Sequence, residues 1–164
     1  MKAKAQTQKD EIISELVETR RQILDAAAAL PPAKRDEVFL GVWSVKDLLA
    51  HLAGWDDTNR QAAEELLAGQ VPSFYGHHDR DWQTYNAGLV AAYRQEDFTE
   101  QLTLAEDTQQ TLIAFLETLP AAEFDKDRGV RFRRYKVTIA RLLQAEADDE
   151  KVHLAQIEEF RDKA

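Results

Sequence analysis

The sequence contains no cysteine. Disulfide bonds, a thiolate nucleophile and cysteine-ligated zinc sites are therefore excluded, and the absence is typical of proteins from a reducing compartment. Long apolar runs are missing as well. No stretch approaches the roughly 18 apolar residues of a membrane-spanning helix, and the first residues, MKAKAQTQKDE, lack the apolar segment of a signal peptide. We therefore expect a cytoplasmic protein with no membrane partner.

Glycine and proline are scarce, with six and four residues among 164. Together with 44% hydrophobic and 31% charged residues, this composition favours a helical globular protein over a disordered chain. The length is sufficient for one domain with a proper core and too short for two comfortable ones. We predict one domain that covers residues 1–164.

Positive charge is in deficit, because 21 lysines and arginines face 30 aspartates and glutamates, which gives a formal net charge of −9. Such a field repels nucleic acid and anionic membrane surfaces. The basic run RGVRFRRYK, residues 128–136, interleaves arginines with Phe132 and Tyr135, but it is short and lies in a predicted loop. We predict no nucleic-acid partner and expect the run to pair with acidic helix faces; an anionic group of a substrate is the alternative.

Apolar residues at helical spacing predict four long helices, at about residues 9–30, 44–68, 98–119 and 136–162. Prolines and glycines interrupt the pattern between them. The second helix begins at SVKD, where Ser44 can cap the helix and Asp47 stands in the place of the usual glutamate of a capping box. A shorter helical stretch, RDWQTYNAGLVAAYRQ, lies between the second and third. This pattern predicts an all-α, antiparallel four-helix bundle with an additional short helix between helices 2 and 3.

The last predicted helix carries ionisable residues on its apolar face. At 100° per residue, Glu146 and Asp149 lie within about 40° of His153, and Glu150 lies near 60°. Uncompensated burial of such charges costs of the order of several kcal/mol each. His51 lies on the apolar face of the second helix. Two imidazoles and one carboxylate suit a first-row divalent ion, so His51, Asp149 and His153 are candidate metal ligands.

Other interpretations of the same residues stay open. His51 can form a buried ion pair with Asp149 or Glu146 and bind no metal, and the acidic run 148–150 can be a solvated helix face. Glu146 and Glu150 are candidates for a catalytic general base or for partners of the metal ligands. Aromatic walls with a few polar groups suit a small-molecule pocket, and five residues are candidates for it: Trp43, Trp55, Trp82, Tyr85 and Asn86. Core packing is the alternative for Trp55. His77 and His78, in a loop beside Gly76, can approach this pocket, and exposed loop positions are the alternative for them.

The segments GVWSVKDLLAHLAGWDD and YKVTIARLLQAEADDEKVHLAQIEEF resemble the DinB-like (YfiT-like) four-helix-bundle superfamily. The blocks WSVKDLLAHL and DWQTYNAGL are most similar to its ClbS/DfsB-type branch. The resemblance implies a DinB-like bundle over nearly the whole chain. The metal pattern of this family is one histidine on the second helix and an H-x-x-x-H pair on the last. His51 and His153 match its first and final positions, whereas Asp149 stands where the first histidine of the pair is expected.

The resemblance also implies a function directed at a small electrophilic molecule. Members of the superfamily include metal-dependent thiol-conjugating transferases, isomerases and hydrolases, so a divalent ion such as Zn²⁺, Ni²⁺, Fe²⁺ or Mn²⁺ is expected at the three ligands. ClbS-type members are similar to one another in protecting cells from genotoxins by cyclopropane hydrolysis without a metal. Two alternatives therefore remain: a metal-free hydrolase of that type, and a non-catalytic, stress-related binding or dimerising bundle. A homodimer is a further expectation from the resemblance.

Overall fold

The computed structural model describes residues 1–77 and 82–163. Within these ranges the chain forms five α-helices and one hairpin of two short strands, and the predicted fold class is confirmed. The helices are α1 (Lys2–Ala28), α2 (Val45–Leu67), α3 (Gln83–Tyr93), α4 (Phe98–Thr118) and α5 (Ile139–Asp162), and the strands are β1 (Arg131–Phe132) and β2 (Tyr135–Lys136). No helix in the described ranges is long and apolar enough to cross a membrane.

Local signals fix where the helices begin. The Ser44 side chain accepts a hydrogen bond from the backbone N–H of Asp47, and the Asp47 carboxylate accepts one from the backbone N–H of Ser44 at 2.9 Å, so the predicted capping box is confirmed. Asp97 and Thr138 cap α4 and α5 with one side-chain hydrogen bond each, accepted from the backbone N–H of Glu100 and Arg141. The start of α1 at Lys2 was not predicted, because the first turns are polar and lack apolar periodicity. Their alanines, lysines and glutamines are nevertheless strong helix formers.

The long helices run in two senses. The Lys9 ammonium of α1 donates to the carbonyl of Leu119 at the end of α4, so α1 and α4 are antiparallel. α2 and α5 are also antiparallel, because Asn59 near the end of α2 donates to Glu146 near the start of α5, and His51 near the start of α2 contacts His153 further along α5. Lys46 at the start of α2 donates to the carbonyl of Glu96 just before α4, and Thr108 further along α4 donates to Asp56 further along α2. Helices α2 and α4 therefore point the same way, and the connection between them must carry the chain back along the bundle.

Helix α3 makes this return along the outside of α2. Its Tyr85 hydroxyl is hydrogen bonded to Thr58 at 3.0 Å, and Arg94, just after its end, forms an ion pair with Asp47 at the start of α2. Between these two points Leu89 packs on Gly54, where an added Cβ atom would lie only 2.8 Å from the Cβ of Leu89. The close approach of the two helices depends on this missing side chain.

The core of the described part is divided into two apolar clusters by a polar layer. One cluster contains buried residues such as Leu16, Leu116, Phe124 and Leu143, and the other contains Ile23, Leu30, Leu48, Leu52 and Ile157. Between them lie buried polar side chains from α1, α2, α4 and α5, listed here in chain order: Arg20, His51, Asp56, Asn59, Thr108, Glu146, Glu150 and His153. The ionisable residues that sequence analysis found on the apolar face of the last helix are therefore part of a larger buried layer.

We predict that Gly54→Ala destabilises the protein although alanine is the better helix former. Overpacking against Leu89 costs about 1 to 3 kcal/mol, which exceeds the gain of about 1 kcal/mol from helix propensity. Urea unfolding measures the change. Gly88→Ala is the matched control, since nothing lies within 4 Å of a Cβ at Gly88, and we expect it to stabilise the protein. Equal stabilisation by both substitutions would contradict the proposed close packing of α3.

Candidate functional site

The three predicted metal ligands lie together. The ring centroids of His51 and His153 are 5.3 Å apart. The Oδ2 atom of Asp149 is 3.1 Å from Nε2 of His153 and 3.8 Å from Nε2 of His51. One ligand-capable atom from each residue lies within 4.8 Å of the other two. Both histidines are buried, with 4% and 8% of their surface exposed, whereas the Asp149 side chain is 49% exposed. The cluster therefore has a dry side and a side open to solvent.

The hydrogen bonds around the two imidazoles suit a metal ion. Neither ring nitrogen of His51 has a hydrogen-bond partner among the described residues, and 3.8 Å to Asp149 is too long for one. Nδ1 of His153 lies 2.8 Å from Oε1 of Gln156, and because this oxygen can only accept, Nδ1 carries the proton. In the neutral ring, Nε2 then presents a lone pair to the Asp149 carboxylate. A proton or a metal cation must lie between those two acceptors, so the residues fit a divalent ion.

A cleft of about 420 Å³ adjoins this cluster. Its walls are mainly aromatic, and a few amide and carboxyl groups interrupt them. Its residues on α2, the loop after it and α3 are His51, Trp55, Asn59, Phe74, Tyr75, Trp82 and Asn86, and those on α5 are Leu142, Ala145, Glu146 and Asp149. An apolar cleft with a few converging polar groups is the usual form of a small-molecule site.

Three of the five predicted pocket residues line this cleft, namely Trp55, Trp82 and Asn86. The Trp55 indole N–H donates to Oδ1 of Asn86 at 2.8 Å, which fixes both side chains. Tyr85 packs beside Trp55, with ring centroids 5.4 Å apart, and is not part of the lining. Trp43 packs against His51 instead, with centroids 4.9 Å apart. Its contact is with a candidate ligand and not with the cleft.

The loop after α2 contributes two aromatic residues that sequence analysis did not select. Phe74 and Tyr75 line the cleft, and their positions follow from a short 3-10 turn at Ser73–Gly76. The ring of His77 contacts that of Trp82, so this histidine supports the aromatic wall. His78 lies outside the described residues.

The Arg20 guanidinium, only 1% exposed, is the centre of the polar layer. It donates to both carboxylate oxygens of Asp56, at 2.9 and 3.0 Å, and to both oxygens of Glu150, one of them at 3.2 Å. Its remaining N–H donates to the carbonyl of Ala105 at 2.6 Å. All five guanidinium donors are therefore used. Thr108 donates a further hydrogen bond to Asp56 at 2.6 Å.

Glu146 lies between this network and the cleft. It is 6% exposed, and the Asn59 amide donates to its Oε2 at 3.3 Å. Its other oxygen has no hydrogen-bond partner among the residues that the structure describes. Of the two predicted catalytic glutamates, Glu146 therefore faces the cleft, whereas Glu150 has both oxygens engaged by Arg20.

A sequence profile of the DinB superfamily matches residues 15–157. The chain belongs to the DinB superfamily. This confirms the resemblance predicted from the motifs. No curated protein sequence matches the chain.

Two solved structures share the DinB-like fold of the chain. The crystal structure of the colibactin self-resistance protein ClbS in complex with a double-stranded DNA has a TM-score of 0.77 and 18% identity, over 95% of this chain and 96% of that one. An uncharacterised protein from Escherichia coli UTI89 has a TM-score of 0.71 and 13% identity, over 92% and 91%. At these identities the likeness shows the fold alone. The DNA belongs to the ClbS structure, and the absence of a nucleic-acid partner stays a prediction for this DinB-superfamily chain.

The buried carboxyl groups of this DinB-superfamily chain outnumber the guanidinium that they share. Three buried carboxyl groups, of Asp56, Glu146 and Glu150, face the guanidinium of Arg20. Burial raises the pKa of Glu146 well above its usual value, and the charges of Glu150 and Asp56 raise it further, against a smaller opposing effect of Arg20. We therefore expect Glu146 to hold a proton at neutral pH and to present a carboxylic acid to the cleft.

The two histidines differ in their electrostatic surroundings. Burial lowers the pKa of His51, and the nearby His153 and Arg20 also lower it, although Asp149 opposes them. Burial alone would lower the pKa of His153 too, but hydrogen bonding and charge interaction with Asp149, together with Gln156, outweigh it and raise the pKa. His51 is therefore a neutral imidazole at neutral pH, the form that binds metal ions. His153 has to lose its Nε2 proton to solvent before Nε2 can bind a metal ion, so metal binding is expected to weaken as the pH falls.

The roles of Arg20 and Asp56 in the buried network were not predicted from the sequence. A signal for the first was present, because Arg20 lies on the apolar side of the first helix between Leu16 and Ile23. A charged residue at such a position needs a buried partner. Asp56 gave no comparable signal, because the sequence does not show that it faces the bundle interior rather than solvent.

We predict that Arg20→Met destabilises the protein by about 3 to 5 kcal/mol, because it leaves buried carboxylates without their cation. Arg21→Met is the matched control. Arg21 also pairs with two carboxylates, of Glu18 and Asp25, but on the exposed surface of α1, so little change is expected. Chemical denaturation at neutral pH measures both. Similar losses for the two variants would show that the buried network does not stabilise the fold.

We predict that the stability of Glu146→Gln falls less than that of the wild type as the pH rises. The folded state holds the Glu146 proton more tightly than the unfolded state, so the stabilisation is complete below the usual pKa of glutamate and is lost as the pH rises towards the raised value. An amide cannot lose this proton. The melting temperature of the variant, measured in chelator from about pH 5 to about pH 8, should therefore fall less than that of the wild type. The exposed Glu106→Gln should follow the wild-type curve, and a Glu146→Gln curve parallel to both would contradict a protonated Glu146.

Proposed function

We propose that the chain binds one divalent metal ion through His51, Asp149 and His153 and acts on a small electrophilic molecule in the adjoining cleft, as a hydrolase or a thiol transferase. The observation that carries the proposal is the convergence of two buried imidazoles and one carboxylate at the edge of a cleft of about 420 Å³. His51 supports it most directly, since both of its buried ring nitrogens lack a partner among the described residues.

The residues around the cluster have separate tasks in this proposal. A divalent ion at the three ligands would supply a Lewis acid beside the cleft. Gln156 orients His153 by accepting a hydrogen bond from its Nδ1–H, and Trp43 packs on His51 and limits its rotation. Trp55 and Trp82 cover the apolar body of the substrate and exclude water. Glu146 presents a proton to the cleft and can donate it to a leaving group.

Metal binding tests the proposal directly. We expect untagged protein to bind one equivalent of Zn²⁺, Ni²⁺, Fe²⁺ or Mn²⁺ in calorimetric titration, with at least a tenfold loss of affinity in His51→Ala. His77→Ala is the control, because this imidazole contacts Trp82 and lies outside the cluster, and its affinity should match the wild type. Asp149→His, which restores the H-x-x-x-H pattern, should bind Zn²⁺ at least as tightly as the wild type. A folded wild type that binds none of the four ions would contradict the proposal.

A metal-free hydrolase is the second candidate, and Glu146 is the observation that favours it. A carboxyl group that lines an aromatic cleft, with its pKa raised by burial and one oxygen without a hydrogen-bond partner among the described residues, can act as a general acid without any metal. Consumption of styrene oxide in excess chelator distinguishes the candidates. Hydrolysis that persists in chelator and disappears in Glu146→Gln supports the metal-free enzyme, whereas hydrolysis that stops in chelator supports the metal-dependent one.

A non-catalytic binding role is the third outcome of the same experiments, since it predicts ligand binding without consumption of any electrophile. The cytoplasmic location, the stress-related role and the homodimer remain predictions from the family resemblance.

A further inference from the structure

The tip of the β1–β2 hairpin has an unusual backbone for its sequence. Arg133 and Arg134 form the two-residue turn, and both have positive φ values, of 48° and 72°. Residues with a Cβ atom rarely adopt this region, and two-residue hairpin turns with positive φ at both positions strongly prefer Asn-Gly. Two long cationic side chains therefore occupy positions that the turn itself does not favour. Unfavourable backbone of this kind is concentrated at functional sites.

The two turn arginines are also without carboxylate partners in the described part of the chain. Elsewhere in the basic run the arginines are paired, Arg128 with Glu123 and Arg131 with Asp127. The run was expected to pair with acidic helix faces. Arg128 and Arg131 pair instead with carboxylates close to them in the same connection, and the two turn arginines have none among the described residues. Arg133 and Arg134 are exposed, although the chain has a net charge of −9 and many carboxylates available.

An aromatic path joins this turn to the cleft. Tyr75 lines the cleft, and its ring is stacked on that of Phe132, with centroids 4.1 Å apart and an interplanar angle of 17°. The guanidinium of Arg133 lies over the Phe132 ring, 5.1 Å from its centroid. The Arg133 cation and the wall of the cleft are therefore close enough for one small organic molecule to contact both.

We propose that Arg133 and Arg134 bind an anionic group, a phosphate or a carboxylate, on the substrate whose apolar body occupies the aromatic cleft. The inference rests on the proposed function to the extent that the cleft is the substrate site. Guanidinium groups offer paired donors that match both anions. The overall charge of −9 repels an extended polyanion, so one anionic group on a small molecule is favoured over a nucleic acid.

Four probes test this by calorimetric titration of the full chain: 1-naphthol, 1-naphthyl phosphate, 1-naphthoate and inorganic phosphate. The wild type should bind one or both anionic aromatic probes at least tenfold more tightly than 1-naphthol, and inorganic phosphate only weakly. Preference for phosphate over carboxylate, or the reverse, identifies the anion. The preference should decrease as the salt concentration rises, because exposed charges are screened.

The decisive variant is Arg133→Asn combined with Arg134→Gly. It should fold at least as well as the wild type, since Asn-Gly suits the turn, and it should bind 1-naphthol unchanged while losing the preference for the anionic probes. The control is Arg161→Gln combined with Lys163→Gln, which removes the same charge from exposed side chains at the far end of α5 and should keep the preference. A variant that merely changed the structure of the hairpin would alter the binding of 1-naphthol as well.

The remaining outcomes separate this inference from the proposed function. Binding of 1-naphthol with no anion preference, or a preference that survives in the Asn-Gly variant, overturns the anion site and leaves the cleft and the metal site intact. If no aromatic probe binds, the cleft is not a substrate site. Both the anion site and the proposed action on a small molecule in the cleft are then overturned. Salt-sensitive binding of a DNA duplex that the Asn-Gly variant abolishes would overturn the small-molecule assignment in favour of a nucleic-acid contact.

Discussion

One buried guanidinium network connects the four long helices in the described part of the chain. Arg20 comes from α1, Asp56 from α2, Glu150 from α5, and α4 contributes the carbonyl of Ala105 and the hydroxyl of Thr108. Burying a charge is costly unless every donor and acceptor is used, and here all five donors of Arg20 are used. The helices can therefore take one register in which this network closes, and other registers leave buried charges unpaired.

The candidate site depends on that register. On α5, Asp149 immediately precedes Glu150 and His153 follows within one turn, so fixing Glu150 also fixes the direction in which the candidate ligands project. On α2, His51 lies less than two turns before Asp56, on the part of the helix that faces α5. Neighbouring carboxyl groups on one helix consequently have different surroundings. Glu150 is an ion-pair partner of Arg20, and Glu146 is buried with its pKa raised. Asp149 lies at the solvent edge, where its two histidines lower its pKa against the effect of burial.

Much of this arrangement could be predicted from the sequence because it depends on local patterns. Apolar periodicity placed the long helices, the capping box at Ser44 marked the start of α2, and helical spacing put Glu146, Asp149 and His153 on one face. Contacts between distant elements could not be predicted in the same way. Periodicity shows that a residue faces inward but does not show which residue faces it, so the pairing of Arg20 with Asp56 was missed. The stacking of Tyr75 on Phe132 was missed for the same reason.

The parallel course of α2 and α4 has a consequence for how this protein can change over time. A connection that must traverse the length of the bundle cannot be a tight turn. Here its described part contributes Phe74, Tyr75, Trp82 and Asn86 to the wall of the cleft. The catalytic candidates, by contrast, are carried by the helices that Arg20 holds. Replacing residues of the traversing segment can therefore alter the shape of the cleft while the buried scaffold and the candidate ligands on it are inherited unchanged.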